Sequence, residues 1–317
     1  MADLPHRRLG RDGPSVSMVS LGSWMTLEHI PREDGLAVMR AARAAGIDFL
    51  DDARYDDRSG NAPIPTGWSE VVFGELFRDS GWRRDDVVVA NKAWLEFWPE
   101  QSVAAEVGAS LERMGFDRLD LLYTAAPPAG YALEALVADL DALVTAGTVR
   151  SWGFLNCTAA VLGDACAIAR DRGLATPVAV QLPYSLVTRG WVEDEAMVAV
   201  LDQFGISVVA SATLAGGALT GKYRDPGAAG RLADARDAPR LDAAHTAAAA
   251  LTSLAAEVGA TPAQLAIAFA LLDERVATVL LGATRAEQID ENAAAVAVLD
   301  RLDERQRAAL VTVGSSG

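Results

Sequence analysis

The sequence has few of the residues from which metal sites and disulfide frameworks are built: two cysteines and three histidines among 317 residues. Cys157 and Cys166 have neither metal-ligand spacing nor that of a disulfide framework, and the histidines lie far apart. Basic residues are also scarce, at 28 against 43 acidic ones, which gives a formal net charge of -15. This composition argues against a metal site, a nucleic-acid partner and binding to an anionic membrane.

Long apolar runs are absent as well, and this bears on localisation. The longest uncharged stretch, 205–221, is rich in Gly, Ser and Ala. It falls short of the about 20 strongly apolar residues that a membrane-spanning helix needs. Residues 1–10 are polar and lack the apolar core of a signal peptide. We therefore expect a soluble, cytoplasmic protein with no membrane partner.

The sequence instead alternates short apolar runs with amphipathic stretches. The runs have the composition of buried parallel strands. They are 16–22, 47–51, 87–91, 119–123, 150–154, 177–181, 206–210 and 276–280. Repeated strand–helix units without a linker favour a closed barrel. We predict a single (β/α)8 barrel domain over residues 1–317, with an N-terminal β-hairpin and an extra C-terminal helix near 303–313.

The stretches between the runs have helical periodicity. In 99–114, for example, Val103, Val107 and Leu111 fall on one face, and 262–272 is nearly all apolar, which is typical of a buried helix. No G-x-G-x-x-G motif follows a predicted strand, so a doubly wound dinucleotide-binding fold is disfavoured.

Chemistry in such a barrel occurs at the carboxyl ends of the strands. One apolar run ends in Asp51, with Tyr55 and Asp56 following, and the next run leads into Lys92. A lysine in a barrel mouth is costly unless a carboxylate pairs with it, and Asp51 is the obvious partner. A buried lysine lowers the pKa of a neighbouring phenol and makes it a usable general acid. These residues form either a catalytic set or a structural ion pair.

A second feature follows the last predicted strand. Gly282, Thr284 and Arg285 open a helix, and Gln288 and Asn292 share a face with the arginine. A helix N-terminus with an arginine in its first turn is suited to an anion, and the two amides could contact an adenine edge. The alternative is an ordinary capped surface helix with a polar face.

Segments spread over essentially the whole chain resemble the aldo-keto reductase family. They are RRLGRDGPSVSMVSLGSW at 7–24, GIDFLDDA at 46–53, GWSEVVFGELF at 67–77, DRLDLLY at 117–123, VQLPYSL at 180–186, LTGKY at 219–223 and GATRAEQIDEN at 282–292. The resemblance implies a (β/α)8 barrel that binds NADP(H) without a Rossmann motif and reduces a carbonyl group by hydride transfer.

By position, the resemblance implies a catalytic set of Asp51, Tyr55 and Lys92. It also implies that the C-terminal residues hold the 2′-phosphate and adenine, and that two amides hold the nicotinamide carboxamide. The loop 214–239 is rich in Gly and Pro and is a candidate cofactor clamp. The expected cofactor-binding residues are Asn156, Gln181, Leu214, Gly216, Gly282, Thr284, Arg285, Gln288 and Asn292.

Three positions depart from the family pattern. The family's catalytic histidine corresponds to Ala125, the serine before Asn156 is replaced by Leu155, and the aromatic residue expected near the end of the seventh strand is Ser211. Loss of one preorganised donor costs about 10²–10³ in rate. The missing histidine therefore slows hydride transfer without abolishing it. We expect His29, in the loop after the first strand, to be solvated.

The tyrosine is also shifted. It normally falls five residues after the aspartate, whereas Tyr55 comes four after Asp51 and Asp56 occupies the usual position. Either a shorter loop still presents Tyr55, or the Asp56 carboxyl acts as the acid if burial keeps it protonated. Glu96 is a further candidate acid, with a surface carboxylate as the alternative.

Tryptophans follow the ends of two predicted strands. Trp24, Trp94 and Trp98 are expected to line a pocket for a bulky, partly apolar small molecule. The leading hypothesis is an NADPH-dependent oxidoreductase that reduces a carbonyl group. The alternatives are a non-redox lyase, epimerase or dehydratase, and a catalytically silent NADP-binding protein.

Overall fold

The computed structural model describes residues 4–57, 60–225, 227–228 and 230–314. Its strands are β1 (His6–Arg8), β2 (Ser15–Ser17), β3 (Val19–Gly22), β4 (Phe49–Asp51), β5 (Val88–Ala93), β6 (Leu119–Thr124), β7 (Val149–Leu155), β8 (Ala179–Pro183), β9 (Ser207–Ser211) and β10 (Val276–Leu281). Its α-helices are α1 (Arg32–Ala44), α2 (Trp68–Ser80), α3 (Val103–Met114), α4 (Leu133–Thr145), α5 (Ala159–Arg172), α6 (Gly190–Glu193), α7 (Glu195–Phe204), α8 (Asp242–Val258), α9 (Pro262–Leu272), α10 (Ala286–Ala293), α11 (Ala295–Arg301) and α12 (Glu304–Thr312).

The strands from β3 to β10 form a closed parallel barrel in the order β10-β3-β4-β5-β6-β7-β8-β9. Strands β1 and β2 pair antiparallel as a separate hairpin. The predicted (β/α)8 barrel, its N-terminal hairpin and the extra C-terminal helix α12 are therefore confirmed.

The prediction of one continuous strand over 16–22 is wrong. Residues up to Ser17 belong to the hairpin, whereas Val19 begins the barrel strand β3. Between them, the Met18 N–H donates to the Pro5 carbonyl at 3.0 Å, so the chain turns from one sheet into the other. The apolar pattern runs unbroken through this corner because both sides of it are buried.

Apolar side chains fill the inside of the barrel. Leu9 and Val16 of the hairpin region join the interior cluster that contains Phe49. Gly153 in β7 allows close strand packing, since a Cβ there would lie 2.1 Å from the carbonyl oxygen of Ala179 in β8. The filled interior leaves the carboxyl ends of the strands as the open face.

Helix α9 has the bounds that its composition predicted. The Thr261 hydroxyl accepts from the Gln264 backbone N–H at 3.2 Å, and the Gln264 side-chain oxygen Oε1 accepts from the Thr261 backbone N–H at 3.0 Å. Within the described ranges, no single helix is long and apolar enough to cross a membrane. One pair, Pro239–Val258 with Pro262–Leu272, passes that test only jointly, across a bend of 94°.

A long segment between β9 and α8 includes short 3-10 helices rather than a regular element. They are Ala215–Thr220, Lys222–Arg224, Ala233–Ala235 and Pro239–Leu241. Gly216 and Gly217 have φ values of 67° and 92°, in the left-handed region, where they make a tight turn possible.

Candidate active site

Lys92 is the central residue at the strand ends. Its side chain is 4% exposed, and its ammonium donates to the Asp51 carboxylate. It also donates to the Asp52 carbonyl at 3.3 Å and to the Tyr55 hydroxyl at 3.2 Å. Asp51 lies beside Ala90 of the neighbouring strand, and Lys92 follows two residues later on the same face. The predicted ion pair between Asp51 and Lys92 is therefore present, and its ammonium also donates a hydrogen bond to the Tyr55 hydroxyl.

The loop after β4 presents Tyr55. The Gly67 N–H donates to the Tyr55 carbonyl at 2.8 Å, and the Trp94 indole N–H donates to the Arg54 carbonyl at 2.9 Å. These bonds fix the backbone on both sides of the tyrosine. The phenol reaches the ammonium despite its shorter spacing from the aspartate.

The two alternative acids are held by Arg54. Its guanidinium donates to the Glu96 carboxylate and lies 3.6 Å from the Asp56 carboxylate. The Asp56 side chain is 70% exposed, and its backbone forms an isolated bridge with Thr66. Tyr55 is thus the acid in contact with the lysine ammonium.

The pKa of Tyr55 moves in the direction opposite to our expectation. Burial raises the pKa of the phenol well above its ordinary value, and the charges of Asp51 and Asp52 raise it further. The prediction of a lowered pKa is wrong, because burial and the surrounding carboxylates raise it. The phenol stays protonated at neutral pH, which is the form that can donate a proton.

Gln181 and Asn156 lie at adjacent strand ends. Gln181 Nε2 donates to the second Asp51 oxygen at 3.1 Å, so its amide nitrogen faces the ion pair. The Asn156 backbone N–H donates to the Gln181 backbone carbonyl at 2.9 Å. Asn156 is exposed, and its backbone has a φ of 49°. Burial raises the pKa of Asp51, against the opposing effect of Lys92.

The position of the family's histidine holds Ala125, whose N–H donates to the Ala93 carbonyl at 3.1 Å. Its methyl side chain offers no donor. His29 lines a cavity together with Tyr55, and its Nε2 lies 3.4 Å from the Glu28 carboxylate. The His29 side chain is 36% exposed, which agrees with the expected solvated loop histidine, although it also lines this cavity.

The three tryptophans expected in the substrate pocket have different surroundings. The Trp94 ring centroid lies 6.2 Å from that of Tyr55. Trp24 is 45% exposed, in the loop after β3. Trp98 stacks on Tyr131 with a centroid distance of 4.8 Å. Trp94 is therefore the tryptophan in contact with the candidate acid, whereas Trp98 packs against a following loop.

The region predicted to bind an anion, after β10, contains an exposed cation. Arg285 precedes α10, and no carboxylate of the described chain lies within ion-pairing distance of it. The side-chain oxygen Oε1 of Gln288 accepts from the backbone N–H of Thr284 at 2.8 Å and from that of Arg285 at 3.3 Å. Asn292, further along the helix, is 6% exposed. The helix is capped by Gln288, and Arg285 is the residue left to contact an anion.

Two glycines mark close approaches around the mouth. A Cβ on Gly282 would lie 2.9 Å from the Thr26 side chain, where the loops after β10 and β3 meet. A Cβ on Gly216 would lie 2.9 Å from the Leu232 side chain. Leu214, half-buried, precedes this turn. The predicted clamp therefore folds back on itself beside the barrel.

The sequence analysis missed two polar residues. The Tyr123 hydroxyl is buried inside the barrel, and burial raises its pKa well above its ordinary value, with the Asp51 charge raising it further and the Gln181 side chain opposing the shift. Tyr123 lies two residues after Leu121 in β6, and this spacing could have predicted that both side chains point into the barrel. Arg231 donates to the Trp24 carbonyl at 2.6 Å and covers its ring at 4.6 Å. No pattern pointed to this contact, because it joins distant loops.

No group of three or more His, Cys, Asp or Glu residues in the described ranges could hold a metal ion. Cys157 and Cys166 are buried free thiols. Burial raises the pKa of each to about 12, which leaves the thiols inert as nucleophiles.

Comparisons with known proteins identify the family. Residues 18–313 match the model of the Aldo/keto reductase family. The chain is 30% identical, over 94% of its own length and 93% of the relative's, to a protein of Oryza sativa subsp. japonica named "Probable voltage-gated potassium channel subunit beta". A protein of the same name from Arabidopsis thaliana is 28% identical over 94% of this chain and 93% of its own. The chain therefore belongs to the aldo/keto reductase family of oxidoreductases.

Proposed function

We propose that the protein is an NADPH-dependent reductase that transfers hydride to the carbonyl carbon of a bulky, partly apolar small molecule. The observation that carries the proposal is the set of contacts at Lys92, whose ammonium bonds both to Asp51 and to the Tyr55 hydroxyl. A protonated phenol beside a charge pair is suited to protonating an oxygen on which negative charge develops.

The residues across the mouth fit NADP(H). Arg285 offers an exposed guanidinium at a helix N-terminus, which is suited to a 2′-phosphate, with Thr284 beside it. The amides of Asn156 and Gln181, at adjacent strand ends, would hold the nicotinamide carboxamide. The remaining expected contacts belong to the surrounding loops and helix; they are Leu214, Gly216, Gly282, Gln288 and Asn292.

When bound, NADPH supplies the hydride that the carbonyl carbon receives. Tyr55 donates its phenolic proton to the carbonyl oxygen, which becomes the hydroxyl of the product alcohol. The Lys92 ammonium, 3.2 Å from the phenol oxygen, stabilises the phenolate that remains. Asp51 holds the lysine in place, and water returns a proton to Tyr55 after the reaction. Ala125 occupies the histidine position and offers no donor, so a water or a substrate group supplies the second hydrogen bond to the carbonyl oxygen, beside that from Tyr55.

The surroundings of Tyr55 support the choice of substrate class. Trp94 lies against its ring, and Trp24 presents an exposed face from a neighbouring loop. Aromatic rings beside the phenol favour a substrate with a flat or bulky apolar frame. The carboxylates that a non-redox reaction would use, Asp56 and Glu96, both pair with Arg54. Nothing in the described contacts therefore favours that alternative.

A second candidate function is nucleotide-dependent binding of a partner protein without turnover. The observation that favours it is the name of the two relatives, "voltage-gated potassium channel subunit beta". It differs from the first in one respect: the nucleotide would bind, but no carbonyl compound would be reduced.

The experiment is a titration of NADPH and NADH followed by tryptophan fluorescence, and then an assay of NADPH consumption with aromatic aldehydes and ketones. We expect saturable binding with at least about tenfold preference for NADPH, since one charge-assisted phosphate contact supplies that much. We also expect alcohol to form mole for mole with oxidised cofactor. Binding without any reduction would favour the second candidate, and no binding of either nucleotide would contradict both.

A further inference from the structure

One buried carboxylate near the barrel mouth is not part of the contacts at Lys92. Glu106 lies in the first turn of α3 and is 4% exposed. The Ser102 hydroxyl caps this turn by accepting from the Ala105 backbone N–H at 3.2 Å, and the Glu106 backbone N–H donates to the Ser102 carbonyl at 2.9 Å. The start of α3 is therefore well defined, and it holds the backbone from which the Glu106 side chain extends.

The Glu106 carboxylate binds the backbone of the loop after β5. Its Oε1 atom accepts from the Trp94 backbone N–H at 2.9 Å, and its Oε2 atom accepts from the Leu95 backbone N–H at 3.2 Å. Leu95 has a φ of 61°, in the left-handed region, which is unfavourable for a residue with a Cβ. Such a backbone persists only where its surroundings hold it, and hydrogen bonds to a charged acceptor are stronger than neutral ones. Glu106 therefore sets the position of Trp94, two residues beyond Lys92.

Trp94 links this loop to the loop that carries Tyr55. Its indole N–H donates to the Arg54 carbonyl at 2.9 Å, and its ring centroid lies 6.2 Å from that of Tyr55. Arg54 directly precedes the tyrosine, so this hydrogen bond holds the backbone next to the phenol-bearing residue. The contacts thus run from Glu106 through Trp94 to the backbone at Arg54 and Tyr55.

The side chain of Arg54 provides a second connection to Glu106. Its Nε atom lies 3.9 Å from Glu106 Oε1, and both side chains are at most 6% exposed. Two further carboxylates of the described chain lie within ion-pairing distance of the guanidinium, those of Asp56 and Glu96, and their side chains are 70% and 46% exposed. Glu106 is therefore the buried one of the three, and solvent screens its charge least.

We propose that Glu106 is a positioning residue for the proton transfer from Tyr55. In the described contacts it bonds to neither the phenol nor the ammonium; it holds the loop after β5, from which the Trp94 indole fixes the backbone beside the tyrosine. The inference rests on the proposed function, because Tyr55 acts as an acid in that reaction. It also accounts for a tyrosine only four residues after Asp51, since a shorter loop that must orient a proton donor gains that orientation from an external support.

The first test needs no substrate. Backbone hydrogen exchange is followed by mass spectrometry in the wild type, Glu106→Gln, Trp94→Phe and the control Glu112→Gln, which alters an exposed carboxylate on the same helix. We expect exchange in the segment 52–57 to become at least about threefold faster in Glu106→Gln and in Trp94→Phe, and to stay unchanged in the control. Unchanged exchange in this segment for either of the first two variants would overturn the proposal. If Glu106→Gln does not fold, Glu106→Asp, which keeps the charge and shortens the side chain, replaces it with the same expectation.

The second test is a double-mutant cycle in NADPH-dependent reduction, with whichever of benzaldehyde, 4-nitrobenzaldehyde and acetophenone the wild type reduces fastest. The kcat is expressed per NADPH-binding site, so that unfolded protein does not contribute. We expect Glu106→Gln and Trp94→Phe each to lower kcat by at least about tenfold, while the Kd of NADPH and the KM of the carbonyl compound change by less than about threefold. The double variant should lose no more than about threefold beyond the less active single variant, because both act through one contact. Losses that multiply to about 100-fold or more, or an unchanged kcat in Glu106→Gln, would overturn the proposal.

The two tests separate this inference from the reductase proposal. A wild type that binds NADPH but reduces no carbonyl compound would overturn the reductase, and with it any role of Glu106 in that reaction. A wild type that reduces carbonyl compounds, with kcat and hydrogen exchange both unaffected by Glu106→Gln, would overturn the positioning role and leave the reductase.

Discussion

The two sides of the barrel mouth differ in how their charged groups are satisfied. On the reaction side, Lys92 is buried and donates to three oxygen atoms, and Asp51 is bonded on both of its oxygens. On the side proposed to bind the nucleotide, Arg285 is exposed and has no carboxylate partner in the described chain. The hydrogen bonds of Lys92 and Asp51 hold their side chains in place, whereas the Arg285 guanidinium is free to contact an anion from solvent.

This difference matches what each side would have to do. A group that transfers a proton must keep its position and protonation state throughout the reaction, which requires burial and fixed partners. A group that captures an anion from water must be accessible beforehand. Substitutions on the reaction side should therefore change turnover and stability, and substitutions on the nucleotide side should change binding.

The largest effect is expected for Lys92→Met. We expect NADPH-dependent reduction to fall by about 10⁴-fold, because the variant loses both the cation and the contact that orients Tyr55. The buried Asp51 carboxylate would lose its partner, so the free energy of unfolding should fall by about 3–5 kcal/mol. Denaturant titration measures this change, and the double variant Asp51→Asn/Lys92→Met should recover most of the stability. If Lys92→Met lost NADPH affinity by as large a factor as turnover, the proposed separation between a reaction side and a nucleotide-binding side would be contradicted.

Tyr55→Phe should reduce turnover by about 10³-fold, because the proton donor is removed while the ring remains. The matched control is Asp56→Asn, which alters the neighbouring exposed carboxylate and should change kcat/KM by less than about threefold. Steady-state kinetics of both variants decides between the two acids. If Asp56→Asn loses the activity and Tyr55→Phe retains it, the assignment of the acid is wrong.

Arg285→Ala should weaken NADPH binding by about 10–100-fold, since a hydrogen bond to a charged group contributes about 1.5–3 kcal/mol. NADH, which lacks the 2′-phosphate, should bind within about twofold of its wild-type affinity. Arg301→Ala, at the exposed end of α11, is the control and should leave both affinities unchanged. A loss of NADH affinity equal to that of NADPH would show that Arg285 contacts something other than the phosphate.

The smallest effect concerns pH. Reduction requires the protonated Tyr55 phenol, and burial holds its pKa well above the ordinary value. Its protonated fraction therefore stays constant as the pH rises through neutrality, and kcat/KM should vary by less than about twofold between about pH 7 and pH 9. A steady decline of the rate across this range would show that Lys92 lowers the phenol pKa in the working enzyme.

The sequence was sufficient to predict the barrel because strands β4 to β10 are continuous apolar runs separated by helical periodicity. It did not reveal the corner at Met18, where the apolar pattern continues through a change of sheet. It placed Asp51 and Lys92 at neighbouring strand ends. The register between β4 and β5, which pairs Asp51 with Ala90, then brings the two side chains together. The position of Tyr55 depended on loop hydrogen bonds from Gly67 and Trp94, and the sequence contains no direct signal for them.

Electrostatics was the least predictable property. The direction of the Tyr55 pKa shift depends on the balance between desolvation, the carboxylates and a lysine already paired with Asp51. That balance requires distances and burial, which no spacing rule supplies.

The most direct measurement is the NADPH-dependent reduction of an aromatic ketone by the wild type, Tyr55→Phe and Asp56→Asn, followed as NADPH consumed against alcohol formed. The account predicts equal amounts of the two for the wild type, nearly unchanged turnover for Asp56→Asn and a loss of about 10³-fold for Tyr55→Phe. A wild type that binds NADPH but forms no alcohol from any carbonyl compound, or a Tyr55→Phe variant as active as the wild type, would contradict it.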